Sequence, residues 1–260
     1  MVSILAFAKI VLLAIWTLPL VSIQMVVLVF HKGPYAYYVP RFWHKGVCAI
    51  TGLKTEICGE PVHNQQVIYI SNHLSYLDIP VIGSYLLASF VAKEDVARWP
   101  VLGFLSTVQQ TAFISRTSAH AKKVANALDQ MLKNGKSLIL FPEGTSSAGT
   151  SVLPFKSSLF SLVTAREDNP DFKPVLIQPF TLQLVTVNGH AVTPETRDLY
   201  SWYGEMDFGP HIWEFLQNKG AKVRLTFLPP ILPDAAMDRK TLCKIVQDRV
   251  EAGLAQDNQV

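Results

Sequence analysis

The chain carries little charge and little cysteine for its length. Only 17% of its 260 residues are Asp, Glu, Lys or Arg, and the formal net charge is +3. A nucleic-acid-binding protein normally shows a concentrated basic stripe, so this composition gives no reason to expect a nucleic-acid partner. The three cysteines, Cys48, Cys58 and Cys243, form no C-x-x-C pair. They indicate neither a disulfide framework nor a zinc knuckle, and a reducing compartment fits them best.

Several common signatures of catalysis or binding are also missing. The G-x-S-x-G of serine hydrolases has no match, since the nearest stretch, GTSSAG at residues 144–149, breaks the pattern. The phosphate-binding loop, G-x-x-x-x-G-K-[ST], has no match either. The stretch GKS, residues 135–137, fits its end, but Gln130 occupies the position of its first glycine. Asp207 and His211 have the i, i+4 spacing of a metal pair but no evident third ligand. The sequence shows no internal repeat.

A long apolar run opens the chain. Residues 2–30 read VSILAFAKIVLLAIWTLPLVSIQMVVLVF with Lys9 as the single charge, and about 20 apolar residues are enough to cross a bilayer. The alternatives are a signal peptide, which would be shorter with a basic start, and a buried core helix. We expect a membrane-associated segment. Pro19 leaves open whether it is one kinked span or a hairpin within one leaflet.

The following stretch, residues 31–55, is basic and aromatic. It lacks acidic residues and contains Lys32, Tyr35, Tyr37, Tyr38, Arg41, Phe42, Trp43, Lys45 and Lys54. Positive charge and an aromatic belt beside an apolar run predict that the remainder of the chain lies on the cytoplasmic side of the membrane.

Beyond residue 60, short apolar runs alternate with helical patterns, which predicts a layered α/β fold: a sheet with flanking helices. The predicted strands are Gln66–Ser71, Leu86–Ala92, Thr111–Ser115, Ser137–Phe141, Pro174–Gln178 and Lys222–Leu228. Amphipathic spacing predicts helices over Ala119–Lys133 and Asp234–Ala255. We therefore divide the chain into membrane-anchoring helices with their interfacial segment, residues 1–56, and an α/β domain, residues 57–260.

A histidine and an aspartate follow the first of these strands. The stretch SNHLSYLD places His73 and Asp78 five positions apart, and in one regular helix their side chains would point about 140° apart. The pair must therefore straddle a helix start, which Ser75 provides as the N-cap of a capping box with Asp78. An imidazole held by a carboxylate through one nitrogen keeps the other nitrogen free as a general base. The alternative is that Asp78 only caps the helix.

Two other predicted strands end in polar residues. Ser115 ends the predicted strand TAFIS and Arg116 follows it, and an arginine beside a hydroxyl suits a phosphate oxyanion. After LILF, the turn PEGT presents Glu143. Open α/β sheets bind ligands at the carboxyl ends of their strands, so we expect both loops near His73. Taken singly, each is equally compatible with a surface turn.

In this order, the three blocks resemble the glycerolipid acyltransferase family typified by bacterial lysophosphatidic acid acyltransferases. The family signature is N-H-x-x-x-x-D, then an F-x-x-R block, then F-P-E-G-T. It matches here as Asn72 to Asp78, Phe113 to Arg116, and Phe141 to Thr145. The similarity covers roughly residues 60–230.

The resemblance implies a reaction, its partners and a location. His73 would activate an acceptor hydroxyl for direct attack on an acyl thioester, with Asp78 as its orienter and with no acyl-enzyme, metal or redox cofactor. The partners would be membrane lipids and a thioester donor, acyl-CoA or acyl carrier protein, at the cytoplasmic face of the bacterial inner membrane. Substrate contacts are implied for Asn72, Ser75, Ser115, Arg116, Glu143, Gly144 and Thr145. The non-enzyme alternative is a membrane-bound scaffold, which would have no use for His73.

Two features bear on the acceptor. Many family members continue F-P-E-G-T with Arg-Ser, whereas Ser146 and Ser147 follow here, which removes a cation that would help hold a phosphate. The stretch WYGEMDFGPHIW, residues 202–213, resembles a bacterial subgroup that includes acyltransferases of lyso-ornithine lipids, whose headgroup has no phosphate. We expect 1-acylglycerol-3-phosphate as the acceptor, giving phosphatidic acid in phospholipid biosynthesis, with lyso-ornithine lipid as the alternative.

Overall fold

A mixed β-sheet forms the centre of the protein. The computed structural model describes residues 2–31, 33–114, 128, 130–162, 175–234 and 237–257. Within these residues the strands are β1 Lys54–Cys58, β2 Val67–Ile70, β3 Ser89–Lys93, β4 Ala112–Ile114, β5 Leu138–Leu140, β6 Leu176–Val187, β7 His190–Ala191 and β8 Ala221–Phe227. Their order in the sheet is β1-β8-β6-β2-β5-β3-β4, and β7 pairs with β6.

The strands that carry the predicted motifs run in the same direction. β2 is parallel to both β5 and β6, and β3 is parallel to both β5 and β4. The carboxyl ends of β2, β5, β3 and β4 therefore lie at one edge of the sheet. At the other side, β8 pairs antiparallel with β6 and parallel with β1.

β2 is buried on both faces, which explains its uninterrupted apolar sequence. Val67 and Tyr69 join one hydrophobic cluster, and Ile68 and Ile70 join the cluster on the opposite face. A fully buried aliphatic side chain contributes about 1.5–3 kcal/mol relative to an exposed one. This packing fixes the end of β2, and with it the start of the loop that carries His73.

The apolar run at the start of the chain is one helix, α1, from Val2 to Phe30, which continues through Pro19. The chain then turns through a short 3₁₀ helix, Pro34–Tyr37, and α2, Tyr38–Thr51, packs against α1. In the part of the chain that the structure describes, α1 is the one helix long and apolar enough to cross a membrane. The predicted apolar segment is therefore helical, and the turn of the helical hairpin lies after α1 instead of at Pro19.

The remaining helices flank the sheet. They are α3 Asp78–Gly83, α4 Leu102–Val108, α5 Pro194–Arg197, α6 Phe208–Leu216 and α7 Arg239–Asp257. The last residue of α7, Asp257, accepts hydrogen bonds from Thr181 in β6 at 2.5 Å and Thr226 in β8 at 2.9 Å. These two bonds attach the carboxyl end of α7 to the sheet.

The observed fold confirms the predicted α/β class, with differences at several boundaries. β6 continues to Val187, beyond its predicted end at Gln178, and β1 and β7 were not predicted. The sheet begins at Lys54, so the predicted division between residues 56 and 57 falls inside β1. That division into two domains stays a prediction. Most of the predicted helix Ala119–Lys133 lies outside the described residues, although residues 130–133 are helical.

Candidate active site

Two loops meet at the carboxyl edge of the sheet. The first, residues 71–77, follows β2, and the second, residues 141–147, follows β5. Because β2 and β5 are adjacent and parallel, with Ile70 opposite Leu140, the loops leave the sheet side by side. The edge therefore brings together the first and third sequence blocks, as predicted.

His73 and Asp78 contact each other directly. The distance between His73 Nδ1 and Asp78 Oδ2 is 2.7 Å, and the side chains are 20% and 0% exposed. An ionised carboxylate only accepts hydrogen bonds, so Nδ1 carries the proton in this arrangement. None of the described residues hydrogen-bonds Nε2, and the exposed fraction of the ring leaves this nitrogen accessible. His73 is thus presented as a base with one nitrogen oriented and the other open.

The Asp78 carboxylate is fixed by four donors. Oδ2 accepts the bond from His73 and two from the backbone N–H groups of Leu74 at 2.7 Å and Ser75 at 3.0 Å. Oδ1 accepts a bond from the hydroxyl of Tyr200 at 2.8 Å. These four bonds satisfy both oxygens of the buried carboxylate.

The predicted capping box is only half formed. The Ser75 N–H donates to Asp78, as in a capping box, but the Ser75 hydroxyl accepts from the Leu77 N–H at 3.2 Å instead of from residue 78. The Asp78 N–H donates to the Ser75 carbonyl at 3.0 Å, and α3 begins at Asp78 itself. The N-cap is thus Leu77, two residues later than the predicted Ser75, and His73 still folds back onto Asp78.

Asn72 and Ser75 are buried beside the loop backbone. Both are 0% exposed. The Asn72 amide pairs with the backbone of Leu182 in β6, donating at 2.9 Å and accepting at 2.8 Å, and Ser75 bonds within its own loop. In the structure these two residues position the loop that carries His73, and their predicted substrate contact stays a prediction.

The second loop contacts the backbone N–H, the backbone carbonyl and the ring of His73. Glu143 Oε2 accepts from the His73 N–H at 3.2 Å, and the Ser147 N–H donates to the His73 carbonyl at 2.9 Å. The Phe141 ring stacks on the imidazole with centroids 4.1 Å apart and planes 11° apart. The loop after β5 therefore fixes both the backbone and the ring plane of His73.

Glu143, which was predicted to contact the acceptor, is buried. It is 3% exposed, and its other oxygen, Oε1, accepts from the Leu153 N–H at 3.0 Å. Burial raises the pKa of Glu143 to about 8, an effect that the two backbone N–H donors oppose. Both carboxyl oxygens have protein partners, so Glu143 links residues 73 and 153, and its predicted contact with the acceptor stays a prediction.

Two other predicted contacts, Gly144 and Thr145, lie in the second loop. Thr145 is exposed and Gly144 is partly exposed, with φ +67° at Gly144. A side chain at Gly144 would come within 2.5 Å of the Lys156 ammonium nitrogen, so a cation lies beside this turn. Ser115 and Arg116 lie outside the described residues. β4, which precedes them, ends at the same edge of the sheet.

The segment between α5 and α6 covers the first loop. The Trp202 N–H donates to the Leu74 carbonyl at 2.9 Å, and the Ser146 hydroxyl donates to the Trp202 carbonyl. Tyr76 donates to His211 Nδ1 at 2.7 Å, and His211 Nε2 donates to a backbone carbonyl at 2.9 Å. Both nitrogens of His211 thus have protein partners, and no cluster of metal ligands occurs among the described residues.

Sequence reasoning missed two residues near the site and one contact of a residue that it had recognised. Tyr200 is separated from Asp78 by 122 positions and carries no motif, so nothing in the sequence signals its contact. Lys156 lies beside the turn at Gly144, and its only sequence signal is its position shortly after the third block. Phe141 was recognised as part of that block, but its stacking on His73 required the adjacent strands.

Comparisons with known proteins identify the family of the chain. The profile of the Acyltransferase family matches residues 54–183, half of the chain. A lyso-ornithine lipid O-acyltransferase of Brucella abortus is 32% identical over 226 residues, which cover 85% of this chain and 83% of that protein. The chain therefore belongs to the acyltransferase family and is an acyltransferase, which confirms the family predicted from the three blocks.

The chain is also similar to two acyltransferases that are named for a 1-acylglycerophosphate. A 1-acyl-sn-glycerol-3-phosphate acyltransferase of Neisseria meningitidis is 27% identical over 219 residues, 82% of this chain and 79% of that protein. The crystal structure of the 1-acyl-sn-glycerophosphate acyltransferase PlsC from Thermotoga maritima superposes with a TM-score of 0.67 at 18% identity, covering 98% of this chain and 95% of that one. The two proteins share their fold.

Proposed function

We propose that the protein transfers a fatty acyl group from a thioester donor to the free hydroxyl of a lysolipid. The observation that carries this proposal is the contact between His73 and Asp78, with Nε2 of His73 left accessible at the edge of the sheet. A scaffold would gain nothing from an oriented and partly exposed imidazole. Family membership and the lysolipid-acylating relatives support the same reaction.

The geometry supports a direct transfer. His73 Nε2 takes the proton of the acceptor hydroxyl while the hydroxyl oxygen attacks the thioester carbonyl carbon. The C–O bond forms, the C–S bond breaks, and the imidazolium returns the proton to the departing thiolate. Asp78 stabilises the imidazolium between these steps, and general-base catalysis of this kind contributes roughly 10² to 10⁴ in rate. The chain needs no metal or redox cofactor for this sequence, and the thioester, acyl-CoA or acyl carrier protein, is a co-substrate.

For the acceptor, we propose lyso-ornithine lipid. Lyso-ornithine lipid O-acyltransferases of Brucella abortus and Rhizobium meliloti match 85% and 94% of this chain. In addition, Ser146, which stands where many family members have arginine, is buried and donates its hydroxyl to Trp202. That position therefore supplies no cation for a phosphate.

Lysophosphatidate is the second candidate acceptor, which the Neisseria meningitidis relative favours. Its phosphate would be held by Ser115 and Arg116 after β4, together with Lys156 beside Gly144. Gly144 and Thr145 are proposed to line the acceptor site in either case, because they lie at the open side of the loop that holds His73.

The long apolar helix associates the protein with the membrane, and we propose that α1 lies along one leaflet instead of crossing the bilayer. Lys9 donates to the carbonyl of Asn218 at 2.6 Å, and Gln24 donates to the carbonyl of Val108 at 3.2 Å. These side chains lie about 22 Å apart along the helix axis. A helix attached to the α/β domain over that distance cannot also carry its two ends to opposite faces. We propose the cytoplasmic face of the bacterial inner membrane, following the basic segment after α1.

The test is an in vitro assay of the membrane fraction with acyl-CoA and acyl carrier protein thioesters, each offered lyso-ornithine lipid and lysophosphatidate. We expect a diacylated product, with more product from lyso-ornithine lipid, and no product from membranes that contain the His73→Ala variant. Free fatty acid as the sole product would contradict the transferase proposal. A preference for lysophosphatidate would overturn the proposed acceptor and leave the transfer chemistry intact.

A further inference from the structure

Tyr200 is hydrogen-bonded to the Asp78 carboxylate. Its hydroxyl oxygen is 2.8 Å from Asp78 Oδ1, and both residues are 0% exposed. The other oxygen, Oδ2, takes all three remaining bonds, from His73, Leu74 and Ser75. Among the described residues, Tyr200 is therefore the one hydrogen-bond donor to Oδ1.

The direction of this bond is set by the chemistry of the two groups. Burial, followed by the nearby Asp78 charge, raises the pKa of Tyr200 well above its ordinary value of 10.0. The phenol thus keeps its proton at neutral pH and donates it to a carboxylate that can only accept. Tyr200 and His73 compete for the negative charge of the same carboxylate from opposite oxygens.

The backbone on both sides of Tyr200 is fixed in place. The Tyr200 N–H donates to the Arg197 carbonyl at 3.0 Å. Two residues later, the Trp202 N–H donates to the Leu74 carbonyl at 2.9 Å. His211 Nε2 donates to the carbonyls of Asp198 at 2.9 Å and Ser201 at 3.2 Å. The segment is thus attached to the loop that carries His73, and the phenol has little freedom to leave Asp78.

We infer that Tyr200 is a positioning residue for acyl transfer: its hydroxyl orients the Asp78 carboxylate and limits how strongly that carboxylate holds a protonated His73. The inference rests on the proposed role of His73 as the base. It assigns a function to the segment between α5 and α6, which is distant from His73 and Asp78 in the sequence and contacts Asp78 in the fold.

Removing the hydroxyl has a defined electrostatic consequence. In Tyr200→Phe, Oδ1 loses its donor inside a dry site, and the carboxylate charge acts more fully on the imidazolium. In this variant His73 therefore stays protonated at pH values at which the unmodified enzyme already has the unprotonated base. We expect the midpoint of the acidic limb of kcat/KM to move up by about half to one pH unit, and kcat to fall about 3- to 30-fold because the carboxylate is less well oriented.

The experiment is a pH–rate profile of the purified full-length enzyme in detergent micelles, with Tyr203→Phe as the matched control. Tyr203 lies in the same segment, and its hydroxyl also bonds a carboxylate, Asp198 Oδ1, at 3.0 Å, but on the exposed surface. We expect Tyr203→Phe to keep the profile of the unmodified enzyme. KM for both substrates should stay nearly constant in both variants, because Tyr200 is buried and touches neither substrate.

A second variant should move the acidic limb of the pH–rate profile in the opposite direction. Site-specific replacement of Tyr200 by 3-fluorotyrosine retains the shape of the ring and makes the phenol a stronger donor, so the acidic limb should move to lower pH. This variant decides the question if Tyr200→Phe does not accumulate as folded protein. A purely structural role would reduce kcat or thermal stability in either variant without moving the limb in opposite directions.

The outcomes separate this inference from the proposed function. An acidic limb that stays in place in both Tyr200 variants overturns the role of Tyr200, provided that His73→Ala is inactive. Activity retained by His73→Ala overturns the proposed base itself, whatever the Tyr200 variants do.

Discussion

The two loops at the carboxyl edge of the sheet have the same origin and different exposure. Each follows a short, fully buried parallel strand, β2 or β5. The loop after β2 presents a partly exposed imidazole. The acidic group of the loop after β5, Glu143, is 3% exposed, and its hydrogen bonds within the described residues come from backbone N–H groups. In the proposed mechanism, the loop after β2 supplies the reacting atom, and the loop after β5 holds it in position.

This difference shows why two sequence blocks of similar appearance have different consequences when altered. Loss of the reacting nitrogen removes a chemical step, while loss of a supporting contact changes only how often that nitrogen is correctly placed. Substitutions in the two loops should therefore differ in the size of their effects and in the kinetic constant that they change.

The largest effect is expected for His73→Ala. Without the general base, the acyl-transfer rate should fall roughly 10²- to 10⁴-fold, measured as product formed per folded enzyme. His63→Ala is the matched control, because His63 is an exposed histidine in the loop before β2. A His73→Ala enzyme within a fewfold of the unmodified rate would remove the distinction between the two loops.

Glu143→Gln should have the next largest effect. The amide nitrogen cannot accept a hydrogen bond, so one of the two N–H groups that Glu143 satisfies, at His73 or Leu153, loses its partner. We expect kcat to fall by up to about 10²-fold, since small displacements of a catalytic group are costly, while KM for the acceptor changes little. Glu251→Gln, an exposed change on α7, serves as the control. A large rise in KM with unchanged kcat would indicate that Glu143 binds the acceptor after all.

Phe141→Leu should have a smaller effect, because it removes only the ring that stacks on His73. We expect kcat to fall about 3- to 10-fold, as an aromatic contact is worth about 0.5–1.5 kcal/mol. Phe160→Leu is the matched control for loss of a buried ring, since Phe160 belongs to the hydrophobic cluster on the opposite face of the sheet. Equal losses of activity in the two variants would show that stacking on His73 has no specific role.

The smallest effect concerns stability and pH. Burial raises the pKa of Glu143 from its ordinary value of 4.5 to about 8. The folded protein therefore binds this proton more tightly than the unfolded chain, and the resulting stabilisation is complete below about pH 4.5 and is lost as the pH rises to about 8. We expect Tm to fall by a few degrees more in the unmodified protein than in Glu143→Gln between about pH 5 and pH 8.5. Parallel Tm curves would show that Glu143 does not titrate in this range.

The sequence predicted the parts of the site that depend on local order. The spacing of His73 and Asp78, the strand before them and the turn at Glu143 are encoded in a few neighbouring residues, and all are observed together. The burial of Glu143 was not predictable, because it depends on the Leu153 N–H and on packing between separate strands. Tyr200 could not be found for the same reason, since only the folded chain brings it to Asp78.

The most direct test of the central claim is the tautomeric state of His73, read by ¹⁵N NMR of histidine-labelled enzyme in detergent micelles, with His73→Ala used to assign the signals. The geometry predicts a proton on Nδ1, donated to Asp78, and a bare Nε2 at the pH of activity. In Asp78→Asn this preference should be lost. A His73 signal with the proton on Nε2 in the unmodified enzyme would contradict its assignment as the base.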